Sequence, residues 1–300
     1  MISNQIKKQR ILRRFALLSI ALIVSHISYS CLKEKNIPRP VSNSLKTFNA
    51  PPVYAEISDV NFKAYLKTIV PLAFTPDNKF ISNHPSVVSY DKRMTIIKKS
   101  ITSLSGIEHF TSLKELDCRD NQLTILDISK NLTLTNLNCG YNQLTTLDVS
   151  KNVNLTNLEC YNNRLTTLDI SKNMNLTRLN CGKNQLSTIN FGKKNVLRSI
   201  YCNDNQFTNL DISINMNLTR LECNNNQLTT LDVSKNRSLT VLYCYSNKLT
   251  CLDVSNNNGL VFLSIDEAVK CCHPSIKNFR DKGGDLLDSY LQAITSFTCP

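Results

Sequence analysis

Apolar positions recur along the middle of this chain with a fixed period. Cys118, Cys139, Cys160, Cys181, Cys202, Cys223 and Cys244 follow one another at 21-residue intervals without an insertion. Around the first runs the frame Leu113-x-x-Leu116-x-Cys118-x-x-Asn121-x-Leu123. The second repeats it with Leu134, Leu137, Cys139, Asn142 and Leu144, and the sixth with Leu218, Leu221, Cys223, Asn226 and Leu228. Ten residues after Leu113 a similar frame begins, Leu123-x-x-Leu126-x-Ile128-x-x-Asn131. Alternate residues of an extended segment point to opposite sides. Each unit therefore predicts two short extended segments facing each other. Leu, Ile, Val and Cys point inward, and Asn turns the chain after each segment. A lone unit cannot bury its apolar edge against itself, so the units must stack.

The pattern has clear ends. A degenerate unit with Met94, Ile96, Ile101 and Leu104 precedes the seven, and a failing one with Leu260, Leu263 and Ile265 follows. Residues 57–70 predict a short amphipathic helix. Phe62, Tyr65, Leu66 and Ile69 share one face, Ser58 can cap its start, and Pro71 ends it. Residues 71–93 show no pattern. Past Gly283-Gly284, Asp285 opens a second amphipathic helix with Leu287, Tyr290, Leu291 and Ile294 on one side. Open solenoid ends need covers. Residues 57–93 and 266–300 are therefore read as N- and C-terminal caps around a repeat region of 94–265.

Composition and charge change the picture at the N-terminus. Lys7, Lys8, Arg10, Arg13 and Arg14 stand in residues 1–30 without an acid. They account for five of the net charge of +12 and leave +7 on the rest. That excess is too scattered to argue for nucleic acid. The apolar run Phe15 to Val24 fits a signal-peptide core and is too short to span a bilayer. Residues 1–30 thus predict an export signal ending in Ser28-Tyr29-Ser30. Residues 31–56, with Pro38, Pro40, Pro51 and Pro52, predict an irregular linker.

The unit L-x-x-L-x-Cys-x-x-N-x-L resembles the leucine-rich-repeat family, with Cys at its third apolar place. The wording of the repeat, Leu-Thr-Thr-Leu-Asp-Val-Ser-Lys-Asn, resembles bacterial cell-surface members of that family. The resemblance covers about 170 of the 300 residues. It implies a leucine-rich-repeat solenoid, mostly short parallel β-strands and turns, with short helical caps at both ends. Cys31, directly after the cleavage site, resembles the lipid-modified cysteine of bacterial lipoproteins, although Ser28 and Tyr29 depart from that motif. Ordinary cleavage and free secretion is the alternative. Cap disulfides occur in extracellular members, which makes Cys251, Cys271, Cys272 and Cys299 disulfide candidates, Cys299 with Cys271 or Cys272 first among them.

Residue types then narrow the chemistry. The inward ladder cysteines read as small apolar side chains rather than ligands or redox groups. Asp127, Asp148 and Asp169, resumed by Asp211, Asp232 and Asp253, form an outward column that can bond the backbone of its own turns. The Asn-Leu-Thr sequons at Asn131, Asn154, Asn175 and Asn217 follow from the repeat itself and do not argue for glycans. His84, His109 and His273 are isolated, and no nucleophile motif or acid–base pair emerges. The reading is of a binding protein rather than an enzyme, with no metal and no cofactor.

Variation between units locates the binding face. Outward residues of the second half barely change, whereas those of the first half change in every unit. In the family that this chain resembles, those columns line the ligand-binding sheet. Tyr161, Arg178, Tyr201, Arg220, Tyr243, Tyr245 and Phe262 stand in them, and Tyr and Arg are common interface anchors. The expected partner is a protein. A glycan, or a passive spacer without a ligand, is the alternative. The expected location is the cell surface, or the outer membrane as a lipoprotein.

Overall fold

The computed structural model describes residues 50–193, 196–266 and 268–272. In chain order the strands are β1 (Tyr54–Ala55), β2 (Phe80–Ile81), β3 (Arg93–Thr95), β4 (Glu115–Asp117), β5 (Asn136–Asn138), β6 (Asn157–Glu159), β7 (Thr167–Asp169) and β8 (Arg178–Asn180). They continue as β9 (Thr188–Asn190), β10 (Ser199–Tyr201), β11 (Arg220–Glu222), β12 (Val241–Tyr243), β13 (Cys251–Asp253), β14 (Phe262–Ser264) and β15 (Lys270–Cys272). Helix α1 is Val60–Ile69 and α2 is Pro85–Val88.

The first half of every unit contributes one rung to a nine-stranded parallel sheet ordered β3-β4-β5-β6-β8-β10-β11-β12-β14. Pairing is in register. Leu116, Leu137, Leu158, Leu179, Ile200, Leu221, Leu242 and Leu263 stand directly beside one another. These residues and the seven ladder cysteines are buried in one continuous core. Cys serves there as a small apolar side chain, buried on every rung.

Asparagine makes the corners. Asn142 donates to the carbonyls of Cys118 (3.1 Å), Cys139 (3.1 Å) and Gly140 (3.2 Å), and its Oδ1 accepts the Leu123 N–H at 3.0 Å. Asn163, Asn184, Asn205 and Asn226 repeat this pattern. The residue just before each corner Asn lies in the left-handed region: Asp120, Tyr141, Asn162, Lys183, Asp204, Asn225 and Ser246, with φ between 50° and 57°. Such a conformation costs a non-glycine residue roughly 1–2 kcal/mol, and the Asn bonds offset it at every turn.

The second half departs from the expectation of a matching sheet. Among the described residues only β7 with β9 and β13 with β15 form ladders there. Both occur where the Asp column is interrupted, with Asp169 beside Asn190 and Asp253 beside Cys272. Asn190 donates to Asp169 Oδ2 at 3.0 Å, replacing carboxylate repulsion with a hydrogen bond. The β13–β15 pair also carries coil structure past Ile265 to Cys272, further than the apolar pattern reaches.

The N-terminal cap corrects three expectations. Asp59, not Ser58, caps α1: its Oδ1 accepts the Phe62 N–H at 2.9 Å. Its Oδ2 accepts both the N–H (2.8 Å) and the hydroxyl (2.9 Å) of Thr102, tying the cap to the first coil. Ser58 has only one acceptor oxygen and could not serve both. The end of the presumed linker is ordered, because β1 pairs antiparallel with β2. The stretch 71–93 is not featureless either. It holds a 3₁₀ turn at Pro71–Ala73, β2 and α2, gathered around buried Phe80, whose ring lies 5.3 Å from Phe74 and 6.5 Å from Phe110. Gly106, with φ +105°, admits the approach of this cap, since a Cβ there would overlap Ile57 Cδ1. Among the described residues no helix is long and apolar enough to cross a membrane.

Candidate recognition face

Outward side chains of the nine-stranded sheet form one continuous face. On its C-terminal half the register brings together four of the residues singled out by sequence. Arg178 lies with its guanidinium carbon 4.4 Å from the centre of the Tyr201 ring and donates to the Tyr201 hydroxyl at 2.8 Å. Arg220 sits 5.6 Å from Tyr201 and 5.5 Å from Tyr243. The result is an alternating stack, Arg178–Tyr201–Arg220–Tyr243, across β8, β10, β11 and β12. Carboxylates hold its two arginines in place: Glu159 lies 3.3 Å from Arg178 Nε, and Glu222 lies 2.6 Å from Arg220 Nη2. Burial pulls the Arg178 and Arg220 pKa values down, but bonds to Tyr201 and Glu159 and to Glu222 outweigh it, so both stay above the usual value. Each guanidinium–ring contact contributes roughly 0.5–1 kcal/mol when exposed, and more when desolvated.

The remaining predicted residues are placed differently. Tyr245 is half-buried on the corner column, and burial first, then Asp204 and Glu222, pushes its hydroxyl pKa up. Phe262 opens β14 and is 37% exposed. Tyr161 does not join the stack. Its ring meets Tyr141 edge-on at 5.2 Å and lies over Gly140, where a Cβ would stand 2.6 Å from Cε1. Glycine at 140 is therefore what seats Tyr161.

Sequence reasoning passed over the N-terminal half of the face. Arg93 donates to Asp117 Oδ2 at 2.8 Å, and Arg119 Nε lies 3.6 Å from Oδ1. Asn138 donates to Glu159 Oε2 at 3.0 Å and accepts the Gly140 N–H at 3.1 Å. Arg93 belongs to the degenerate unit, whose frame lacks the Leu–Cys signature. Its partnership with Asp117 follows only from the parallel register of β3 with β4.

The cysteines separate into two kinds. The seven ladder thiols are buried, and burial pushes the pKa of Cys118, Cys160 and Cys223 up to about 12. Cys251 is an exposed free thiol whose partner across the strand pair is Lys270. Cys271 and Cys272 stand in β15, opposite Leu252 and Asp253. Cys31 and Cys299 lie outside the described residues.

On the opposite side the Asp column turns inward on its own backbone. Asp127, Asp148, Asp169, Asp211, Asp232 and Asp253 each accept the N–H of the serine two residues on, at 2.8–2.9 Å. Among the described residues no ion pair within 4.0 Å joins this column to Lys130, Lys151, Lys172 or Lys235, each three residues after one of its aspartates.

Comparison with solved structures settles the architecture. The leucine-rich-repeat domain of APL1B matches with a TM-score of 0.51 at 20% identity, over 66% of this chain and 72% of that one. This chain is a leucine-rich-repeat solenoid. Bacterial leucine-rich-repeat proteins stand among the solenoid's other neighbours. The functional domain of InlJ from Listeria monocytogenes, which includes a cysteine ladder, is 27% identical with a TM-score of 0.48. That match covers 74% of the solenoid chain but only 61% of the InlJ domain. A leucine-rich-repeat protein of Leptospira interrogans is 18% identical with a TM-score of 0.44, over 69% of this chain and 70% of that one. No protein-family model matches the sequence, and no curated protein matches it.

Proposed function

We propose that the solenoid is an exported recognition protein that binds a protein partner through the outer face of its nine-stranded sheet. The observation that carries this reading is the stack Arg178–Tyr201–Arg220–Tyr243. Anchors already held in place lose little freedom on binding, and that loss is a main cost of association. Tyr245 and Phe262 extend the same surface toward its C-terminal end. Tyr161, seated over Gly140, supplies a separate anchor. A binding role also suits the fold, which displays a broad face of varied side chains on a rigid, nearly invariant frame.

Export is proposed from the leader in residues 1–30, with Cys31 as the lipid anchor. Mass spectrometry of the exported protein separates diacylglyceryl-Cys31 from a plain cleaved terminus. In the same sample, a bridge from Cys271 or Cys272 to Cys299 would appear as a disulfide-linked peptide. For the recognition face, affinity capture compares the protein with a variant carrying Tyr201→Ala, Arg220→Ala, Tyr243→Ala and Tyr245→Ala. Both must give the same β-rich circular dichroism. A partner retained by the protein and lost by the variant supports the reading. Equal capture by both removes this face as the site.

A further inference from the structure

The N-terminal half of the sheet face carries a second feature that the Arg–Tyr stack does not use. A concavity of about 270 Å³ opens over β3 to β6, lined by Arg93, Glu115, Asp117, Arg119, Asn157 and Glu159 among others. We propose that it is a cup for one neutral sugar ring of a glycan. This inference goes beyond the proposed protein partner and does not need the Arg–Tyr stack to bind anything.

Charge comes first. Asp117 lies 2.8 Å from Arg93 and 3.6 Å from Arg119. Glu159 lies 3.3 Å from Arg178, which stands beside the cup rather than in its lining. Glu115 makes no ion pair within 4.0 Å among the described residues, so three carboxylates stand against three guanidinium groups in and beside the cup. A charged ligand would meet no net opposite charge here. Among the described residues no group of His, Cys, Asp and Glu is arranged to hold a metal ion. Lining chemistry comes next. Guanidinium, carboxylate and carboxamide groups are planar and offer, respectively, paired donors, paired acceptors, and a donor beside an acceptor. Such pairs match the adjacent hydroxyls of a sugar, each of which both donates and accepts.

Two acceptors in the cup are unspent. Asp117 is 2% exposed, yet its Oδ1 accepts no hydrogen bond, and Asn157 Oδ1 on the fourth rung accepts none either. Buried acceptors are normally satisfied, and hydroxyl donors would satisfy both once they displace the Arg119 guanidinium, which pairs with Asp117 Oδ1 at 3.6 Å. Asn138 is fixed between Glu159 and the Gly140 N–H, so the floor is organised before any ligand arrives. The volume lies just under the range of small-molecule sites, about 300–1,000 Å³, and suits one ring rather than an extended chain.

The test is an NMR titration of the isotope-labelled full chain with the methyl glycosides of glucose, galactose, mannose and N-acetylglucosamine. At least one glycoside should move the amide signals of residues 93–95, 115–119, 136–138 and 157–159. Asn157→Ala and Glu115→Ala should each weaken that response by about tenfold or more with unchanged melting temperatures, since neither removes the Arg93–Asp117 or the Arg178–Glu159 pair. Tyr201→Ala with Tyr243→Ala should leave it intact, which separates this cup from the protein-binding reading. The proposal is overturned if no glycoside moves these signals or if the variants respond as the parent does. A Gly-Arg-Gly peptide moving them when the glycosides do not would give the cup to a basic side chain instead.

Discussion

The two asparagine ladders look alike in sequence but are satisfied differently, and that difference has a measurable size. Asn163 Nδ2 donates to the carbonyls of Cys139, Cys160 and Tyr161, and its Oδ1 accepts the buried Leu144 N–H at 3.0 Å. In Asn163→Ala the three carbonyls keep other donors, Asn142 Nδ2, Asn184 Nδ2 and the Tyr141 N–H. The Leu144 N–H loses its acceptor. An orphaned buried donor costs about 1–3 kcal/mol, and three weakened carbonyl bonds add about 0.5–1.5 kcal/mol each, so the expected loss is roughly 2.5–7.5 kcal/mol. Asn173, in the second ladder, donates to the carbonyls of Val149 and Asn152, both at 2.9 Å, but its buried Oδ1 accepts nothing. Asn173→Ala therefore orphans no N–H and removes an unspent acceptor, so its expected loss is smaller by roughly 1–3 kcal/mol. Urea unfolding of both variants, followed by circular dichroism at fixed pH, gives the comparison directly. Equal losses, or a larger loss for Asn173→Ala, would refute the assignment of the Leu144 N–H to the first ladder.

Further expectations concern the thiols, the glycine seat and pH. With Ellman's reagent, Cys251 reacts in the native protein while Cys118, Cys139, Cys160, Cys181, Cys202, Cys223 and Cys244 stay silent until it unfolds. Those thiols have raised folded pKa values, so their stabilising contribution is complete below the unfolded value and fades as pH rises toward about 12. Chemical unfolding should accordingly become easier on the alkaline side. Gly140→Ala places a Cβ 2.6 Å from Tyr161 Cε1. It should displace that ring, seen as altered aromatic NMR shifts, and cost about 1–3 kcal/mol. Asp127, Asp148, Asp169, Asp211 and Asp232 are lowered, chiefly by bonds from the serine two residues on. Their contribution is present above the unfolded carboxylate value, about 3.9, and is lost as pH falls through the lower folded values. The urea midpoint should drop below pH 4, and Asp148→Asn with Asp232→Asn should flatten that dependence.

Much of the fold was legible because the repeat is strict. The Leu and Cys places fixed the strand period, the inward face and the in-register stacking. Variation between units fixed which face is free to differ. What escaped depends on contacts across coils. Tyr141, Lys183 and Ser246 give no hint of a left-handed backbone, because asparagine bonds rather than glycine permit it. Asp59 surpasses Ser58 as a cap through Thr102, 43 residues away. The Asp column hides which second-half segments pair, since that depends on Asn190 and Cys272 interrupting it. In the recognition face, sequence placed Tyr201 and Arg220 in one column set. It could not show that Arg220 stands between two tyrosines, or that Tyr161 leans away onto Gly140.

Recognition by the sheet face is tested most directly by site-specific photocrosslinking. A photoreactive residue is placed at Tyr243 on the sheet face in one sample and at Thr167 on the opposite face in another. Both are presented with the partner recovered by affinity capture. The account predicts that the partner crosslinks through position 243 and not through 167. Crosslinking through 167 alone, or equally through both, would contradict it.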